Sequence, residues 1–347
     1  MEPGLIESDR AGILNNLSNC LSEAGDYAGA LEAIREAVII YRRQAAADPE
    51  RFEANLARSL NNMSASLNDN GDAAGALVAV REGAEIRRRL AKVNPARFES
   101  QLASSLNNLS NGLANAGDGA AALMEMREAV DIYRRLAKKK PADFEPELAQ
   151  TLNNLSNLLE NAGDGPGALA AIREAVDIRR RLAMTNPARF EPGLASSLNN
   201  LSNRLNAAGD GPAALAVIRK AVDIHRRLAI ADPARFEPDL ARSLHNLSIR
   251  LGDAADGVGA LAAIRLAVDI RRRLAIADPA RFKPDLASSL YNLSIRLGGA
   301  GDGVGALAAI RQAVGIRRRL VTTNPERIEP DLARSLRWQE ALERRFE

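Results

Sequence analysis

The residues of this chain best equipped for chemistry are paired carboxamides. They stand in "NNLSN" at Asn15–Asn19, return at Asn61, Asn107, Asn153 and Asn199, and change to "HNLSI" at His245 and "YNLSI" at Tyr291. An asparagine side chain donates and accepts hydrogen bonds at once, so a row of them suits the backbone of an extended peptide, or pairs with other amides of the same row. Arginines form a second recurring set. Arg35, Arg81, Arg127, Arg173, Arg219, Arg265 and Arg311 share one place in the pattern, and pairs such as Arg180–Arg181 and Arg226–Arg227 share another. Such columns can track a phosphate backbone. They can equally form a solvated face of ion pairs, because Arg173 stands four before Asp177 and Asp177 four before Arg181.

The other reactive groups nominate no catalysis. His225 and His245 are the only histidines and have no nearby His or Cys with which to share a metal, and Cys20 is single, which excludes a disulfide within the chain. "GDGPG" and "GDGVG" look like phosphate loops, yet no strand precedes them and no "GK[ST]" follows. "NLS" or "NMS" satisfies the glycosylation pattern in every copy but falls in mid-helix. The reading is therefore no catalytic residue, no cofactor and no metal.

What must position the amides is a repeat. Every step from Asn15 to Asn61, Asn107, Asn153, Asn199, His245 and Tyr291 is 46 residues, and the same interval separates Pro49, Pro95, Pro141, Pro187, Pro233, Pro279 and Pro325. Phe52, Phe98, Phe144, Phe190, Phe236 and Phe282 fall in one column, with Ile328 in the last place. A period of this size belongs to a solenoid, in which each repeat buries its core against its neighbours. The 347 residues therefore read as a single domain, 1–347, with repeats starting near 3, 54, 100, 146, 192, 238 and 284. The segment 330–347 loses the amide pattern, gains Trp338, and reads as a capping helix. Aromatic residues make up only 3%, so the core must be built from Leu, Ala, Ile and Val, which favours closely packed helices. The start "MEPGLIESDR" lacks a signal-peptide pattern, and no apolar run approaches the ~20 residues needed to span a bilayer. The expected setting is cytoplasmic, away from membranes.

Within the copy from Pro192 to Glu237, Leu194, Leu198, Leu201 and Leu205 form one helical stripe, with Pro192 in the first turn. Gly209 ends that helix, and Asp210 with Pro212 starts the next, whose stripe is Ala214, Leu215, Ile218, Ala221, Val222 and Leu228. Two antiparallel helices of roughly 17 and 18 residues follow from these signals. In "IADPARFEP", Asp232 or its counterparts Asn94, Asn186 and Asn324 can cap a separate single turn opened by proline, and Phe236 then plugs the junction between hairpins.

These residues resemble the tetratricopeptide repeat. That family's hairpin carries Leu and a small residue, a helix-ending Gly-Asp, and two small residues on the second helix; the counterparts here are Leu201-Ser202, Gly209-Asp210, Ala214 and Ala221. The match recurs in register through seven copies. The length departs from the usual 34 residues, and in this the chain is similar to the long repeats of kinesin light chains and of arrays attached to bacterial signalling NTPases. Gly83 replaces one packing alanine and Ala255 one turn glycine.

The resemblance implies an all-α, right-handed superhelical solenoid of seven antiparallel helix pairs plus a C-terminal capping helix. It also implies a non-catalytic interaction scaffold that binds a protein or extended peptide in a concave groove lined by the first helix of each pair. Carried over to this sequence, the groove residues are Asn107, Asn111, Asn153, Asn157, Asn199, Asn203, Arg242, His245, Ile249, Tyr291 and Ile295. Gly252 and Gly298 leave room beside the last four. Basic clamps for a terminal carboxylate, as in chaperone-binding relatives, are not expected, since asparagine holds those places and only Arg58 and Arg242 lie near. The Asn16 column, present in all seven copies, reads as a ladder between helices. The alternatives are a nucleic-acid-binding solenoid using the arginine columns, against which a net charge of only +3 weighs, and a sensor array working beside a signalling NTPase or protease.

Overall fold

A computed structural model describes residues 3–322 and 325–346. Fifteen α-helices and no strand occur among them. In order they are α1 (Pro3–Glu23), α2 (Tyr27–Ala47), α3 (Pro49–Asp69), α4 (Ala73–Val93), α5 (Pro95–Asn115), α6 (Gly119–Lys139), α7 (Pro141–Asn161), α8 (Gly165–Thr185), α9 (Pro187–Ala207), α10 (Gly211–Ala231), α11 (Pro233–Asp253), α12 (Gly257–Ala277), α13 (Pro279–Gly299), α14 (Gly303–Val321) and α15 (Pro325–Phe346). Odd-numbered helices are A helices and even-numbered ones B helices. The chain is an all-α repeat array that divides into two compact units, Met1–Ile178 and Arg179–Glu347.

In the first unit α1/α2, α3/α4 and α5/α6 pair, and each B helix also packs on the next A helix. The second unit repeats the arrangement with α9/α10, α11/α12 and α13/α14, closed by α15 on α14. Alanine lets these helices approach closely. Ala57, Ala103 and Ala149 on A helices of the first unit, and Ala214, Ala221, Ala260 and Ala267 on B helices of the second, have no exposed surface at all.

The A-to-B turn follows from two residues. Gly209 takes φ of +82°, a left-handed conformation that costs glycine nothing. The amide of Asp210 then donates to the Leu205 carbonyl at 2.9 Å, closing a Schellman turn, while the Asp210 carboxylate accepts from the Ala213 amide at 3.1 Å. One residue thus ends one helix and starts the next.

The B-to-A junction is shorter still. A single residue separates α10 from α11: Asp232, at φ −144° and ψ 86°, whose side chain accepts from the Arg235 amide at 3.1 Å. The proline that follows forces this extended conformation on its predecessor and supplies a helix start needing no N–H. Asp48, Asn94, Asn186 and Asp278 make the same bond, whereas the counterpart Asn324 lies outside the described residues.

The "PARF" segment is therefore not a separate turn. It is the first turn of each A helix, which reaches 21 residues and leaves Pro146, Pro192, Pro238 and Pro284 in the helix interior. The A helices thus begin five residues ahead of the starts read from those prolines. An interior proline costs a helix about 3 kcal/mol. In α11 this is offset by the Asp232 cap, worth about 1 kcal/mol, and by burial of Phe236, worth about 2–3 kcal/mol. Phe236 is 8% exposed, belongs to the buried apolar cluster that also holds Ala229, Leu240 and Val268, and carries the Arg235 guanidinium 4.9 Å above its ring.

Two copies break these rules and give two predictions. Ala255 holds the turn at φ +60° where the other copies have glycine, a strain of about 1–2 kcal/mol for a residue with a Cβ. Ala255→Gly is expected to raise stability by about 0.5–1 kcal/mol after allowing for the extra freedom of glycine in the unfolded chain, read as a higher urea midpoint. Lys140 occupies the cap position before Pro141 and makes no side-chain cap bond. Lys140→Asp is expected to add about 1 kcal/mol in the same unfolding measurement.

Candidate functional site

The paired amides divide their work between neighbouring repeats. The first asparagine turns toward the next A helix: the Asn15 carboxamide oxygen accepts from Ser59 at 3.1 Å and from the Asn62 amide at 3.3 Å. In three copies the second asparagine of the pair reaches back to the preceding repeat, as Asn62 does to Asn15, Asn154 to Asn107 at 3.0 Å, and Asn246 to Asn199 at 3.3 Å, whereas Asn108 is exposed and accepts from its neighbour Asn107 at 3.4 Å. Asn199 is 2% exposed and donates to Ser243 at 2.6 Å and to the Ala195 carbonyl at 3.3 Å. His245 keeps the same role with an imidazole in place of the carboxamide, its Nδ1 lying 3.1 Å from the Ser289 hydroxyl. This column lies in the seam between repeats.

The residues one turn further along hold a different position. Asn111 is exposed, and Asn157, Asn203, Ile249 and Ile295 are half-buried. In α5 the exposed stripe runs through Gln101, Ser104, Asn108, Asn111 and Asn115 at helical spacing. Arg242 lies on the corresponding stripe of α11, exposed and paired with Asp239 at 2.6 Å. Of the groove residues expected from the sequence, Asn111, Asn157, Asn203, Arg242, Ile249 and Ile295 therefore share this outward stripe. Asn107, Asn153, Asn199, His245 and Tyr291 stand at its seam edge, with Asn153 buried and the Tyr291 ring 5.5 Å from the Arg317 guanidinium carbon. The room expected beside Gly252 and Gly298 is taken. The Arg296 guanidinium lies against Gly252, and Leu342 and Trp338 of α15 close over Gly298.

Consecutive arginines on the B helices meet three different fates, because neighbouring residues on a helix point about 100° apart. The first is buried. Arg179 donates to the Gly193 carbonyl at 2.6 Å and to Ser197 at 2.5 Å, and Arg271 donates to the Asp285 carbonyl at 2.9 Å and to Ser289. Arg87 and Arg317 repeat the pattern on Gln101 with Ser105, and on Asp331 with Ser335. Burial pulls the Arg87 and Arg179 guanidinium groups down to about 10, so both stay charged at neutral pH. The second arginine pairs with the next B helix, as Arg88 does with Glu125 and Glu128 at 2.8 Å and Arg134 with Glu174 at 2.7 Å. The third pairs with its own A helix, as in Arg89–Glu53 at 2.7 Å and Arg273–Glu237 at 2.7 Å. Most of these ion pairs run between helices, where the sequence had suggested pairs along one helix. The buried column escaped the sequence reading, although its alternation with Tyr41, Tyr133 and His225 was a usable signal.

Among the described residues no group of three or more His, Cys, Asp or Glu could hold a metal ion, and no helix is long and apolar enough to cross a membrane.

Helix hairpins joined by a glycine turn, with small residues at their crossings and a polar seam between copies, define a helical-repeat fold. A family model described as "Tetratricopeptide repeat" matches residues 10–43, 56–95, 102–143, 148–183 and 194–229, more than half of the chain. The chain belongs to the tetratricopeptide repeat family. Its fold is similar to that of BtubC (BKLC) from P. vanneervenii, at 24% identity and a TM-score of 0.57 over 70% of this chain and 90% of that one. It is also similar to the apo form of RapI, at 13% identity and a TM-score of 0.63 over 90% of this chain and 99% of that one. A putative kinesin light chain from Podosopora anserina, with nearly identical TPR-like repeats, shares 16% identity and a TM-score of 0.50 over 67% of this chain and 99% of that one. No curated protein matches this chain.

His225 stands in the buried arginine column with no exposed surface, its Nδ1 2.7 Å from Ser243 and its Nε2 without a partner. Burial pushes its imidazole down to about 4, and burial beside Arg271 and Arg296 pushes His245 down to about 3. Both rings are neutral in the folded chain but protonate near 6.5 when unfolded. The unfolded state therefore binds more protons below that pH, and stability falls as pH drops from 6.5 toward 4. For His225 alone the loss approaches about 3 kcal/mol at the acid end. His225→Tyr combined with His245→Asn, each copied from other repeats, is expected to flatten this slope in unfolding midpoints measured from pH 7.5 to 4.5.

Proposed function

We propose that this chain is a non-catalytic scaffold that binds an extended polypeptide along the outward stripe of its A helices. One observation carries the reading. The seam engages the first amides Asn15, Asn61, Asn107 and Asn199, whereas the stripe through Ser104, Asn108, Asn111 and Asn115 is exposed and presents hydrogen-bonding groups to solvent on one helix. Carboxamides at this density match the alternating N–H and C=O of a peptide backbone without demanding a charge. In the second unit the stripe changes character, with Arg242 followed by the half-buried Ile249 and by Ile295 of the next A helix. A partner combining a polar run with an apolar anchor fits that change. The consecutive arginines of the B helices give nucleic acid less to hold, because ion pairs already engage Arg42, Arg88, Arg89, Arg134, Arg135, Arg227 and Arg273.

Selection from a random peptide library, followed by affinity measurement on the purified chain, tests the reading. Selected peptides are expected to bind about tenfold more weakly to a variant carrying Asn111→Lys, Ile249→Ser and Ile295→Ser, with a shallow dependence on salt. Peptide binding indifferent to all three changes, alongside nucleic-acid binding with a steep salt slope, would overturn it.

A further inference from the structure

Between α3, α4 and α5 the seam between two repeats is left open. A cavity of about 360 Å³ lies there, with Ala76, Leu77 and Val80 as its aliphatic floor and the carboxamides of Asn68, Asn108 and Asn115 at its rim. Gly112 forms one wall. A Cβ at this position would stand 3.3 Å from Leu77 Cδ1 and 3.9 Å from Val80 Cγ1, so Leu77 packs closely against the bare backbone here and any larger residue would press on the cavity's aliphatic side.

The same column elsewhere holds Cys20, Ser66, Leu158, Arg204, Arg250 and Arg296. Where it carries a long side chain, that chain fills the notch. Leu158 is buried, and the Arg296 guanidinium occupies the place a Cβ on Gly252 would take, Gly252 being the counterpart of Asn68. The notch is thus filled in copies whose column residue is long, and Gly112 leaves it without such a side chain.

The lining selects its occupant. It contains no charged side chain, so an ionic group entering it would lose hydration without compensation. Its floor accepts an aliphatic group, and its rim offers donors and acceptors to the peptide groups on either side. Asn108 belongs both to the rim and to the outward stripe of α5, so a chain lying on that stripe passes the mouth of the cavity. We propose that this cavity is an anchor site for an uncharged polypeptide segment, holding one leucine-sized side chain on Leu77 and Val80 while Asn68, Asn108 and Asn115 bind the flanking peptide groups. The inference rests on the polypeptide-binding reading given above and assigns it a residue-specific subsite.

N-acetyl-L-leucine methylamide, an aliphatic side chain between two peptide groups, is the probe. It is titrated into the full chain while the side-chain amide signals of Asn68, Asn108 and Asn115 are followed by NMR, with the glycine, lysine and aspartate analogues in parallel. Saturable shifts with a dissociation constant in the millimolar range, at least tenfold weaker for the three analogues, are expected. Gly112→Leu, which supplies the side chain present at Leu158, is expected to abolish them. Asn108→Ala with Asn115→Ala, at two exposed positions, gives a second variant whose melting temperature should hold while binding weakens at least fivefold. No saturable shift from the leucine compound, an equal response to the glycine analogue, or full binding by either folded variant overturns the proposal. Library peptides that bind the native chain and folded Gly112→Leu alike remove the anchor and leave the scaffold reading standing. Failure of every peptide on the stripe removes that reading and the anchor with it.

Discussion

The structure depends on satisfying polar groups at a seam with only nearest neighbours for help. A globular domain can bring distant segments to a buried polar atom, whereas each helix here packs mainly against those next to it in sequence. Serine hydroxyls such as Ser197, Ser243 and Ser289 sit at the centre of that seam, fully buried. Each receives a B-helix guanidinium or imidazole, and Ser243 and Ser289 also receive a side chain from the amide column. The hydrogen bonds that make the seam specific are thus the same in kind from copy to copy, and this explains why the sequence repeats the polar letters as faithfully as the apolar ones. A half-satisfied network of this sort would be worse than an apolar contact.

Much of this was legible from the residues. The 46-residue interval, the Gly-Asp turn and the Asp or Asn before proline each have a local cause, and a local cause can be read without knowing what surrounds it. The errors arose where tertiary contacts outweigh local rules. Pro192 looks like a helix start because proline is poor inside one, but the cap at Asn186 and Pro187 at the first position begin the helix a turn earlier. Three consecutive arginines look alike in a string, yet the rotation between them sends one into the core, one to the next repeat and one back to its own hairpin. The amide pair misled in the same way. Both the first amide and the residue one turn along read as open surface, but Asn199 has almost no surface left, while Asn111 is exposed.

Divergence between copies carries the functional information that the repeat itself withholds. Where the seam column stays serine and asparagine, selection for packing is a sufficient account. Where Gly112 omits a side chain that Leu158 and Arg296 supply, or where Ile249 and Ile295 replace the amide of Asn203, the change falls on or beside the outward stripe and alters what that stripe can hold. Family membership fixes the architecture. It is these departures that distinguish one array from another of similar fold.

The one-residue joints at Asp48, Asn94, Lys140, Asn186, Asp232 and Asp278 leave the chain no slack. Inserting or deleting a single residue within a helix rotates everything beyond it by about 100° and shifts it by about 1.5 Å, which misaligns the serine, amide and arginine columns together. Length can therefore change cleanly only by whole copies, so duplication and loss of 46-residue blocks is the route by which such an array grows, shortens and acquires a new copy free to drift.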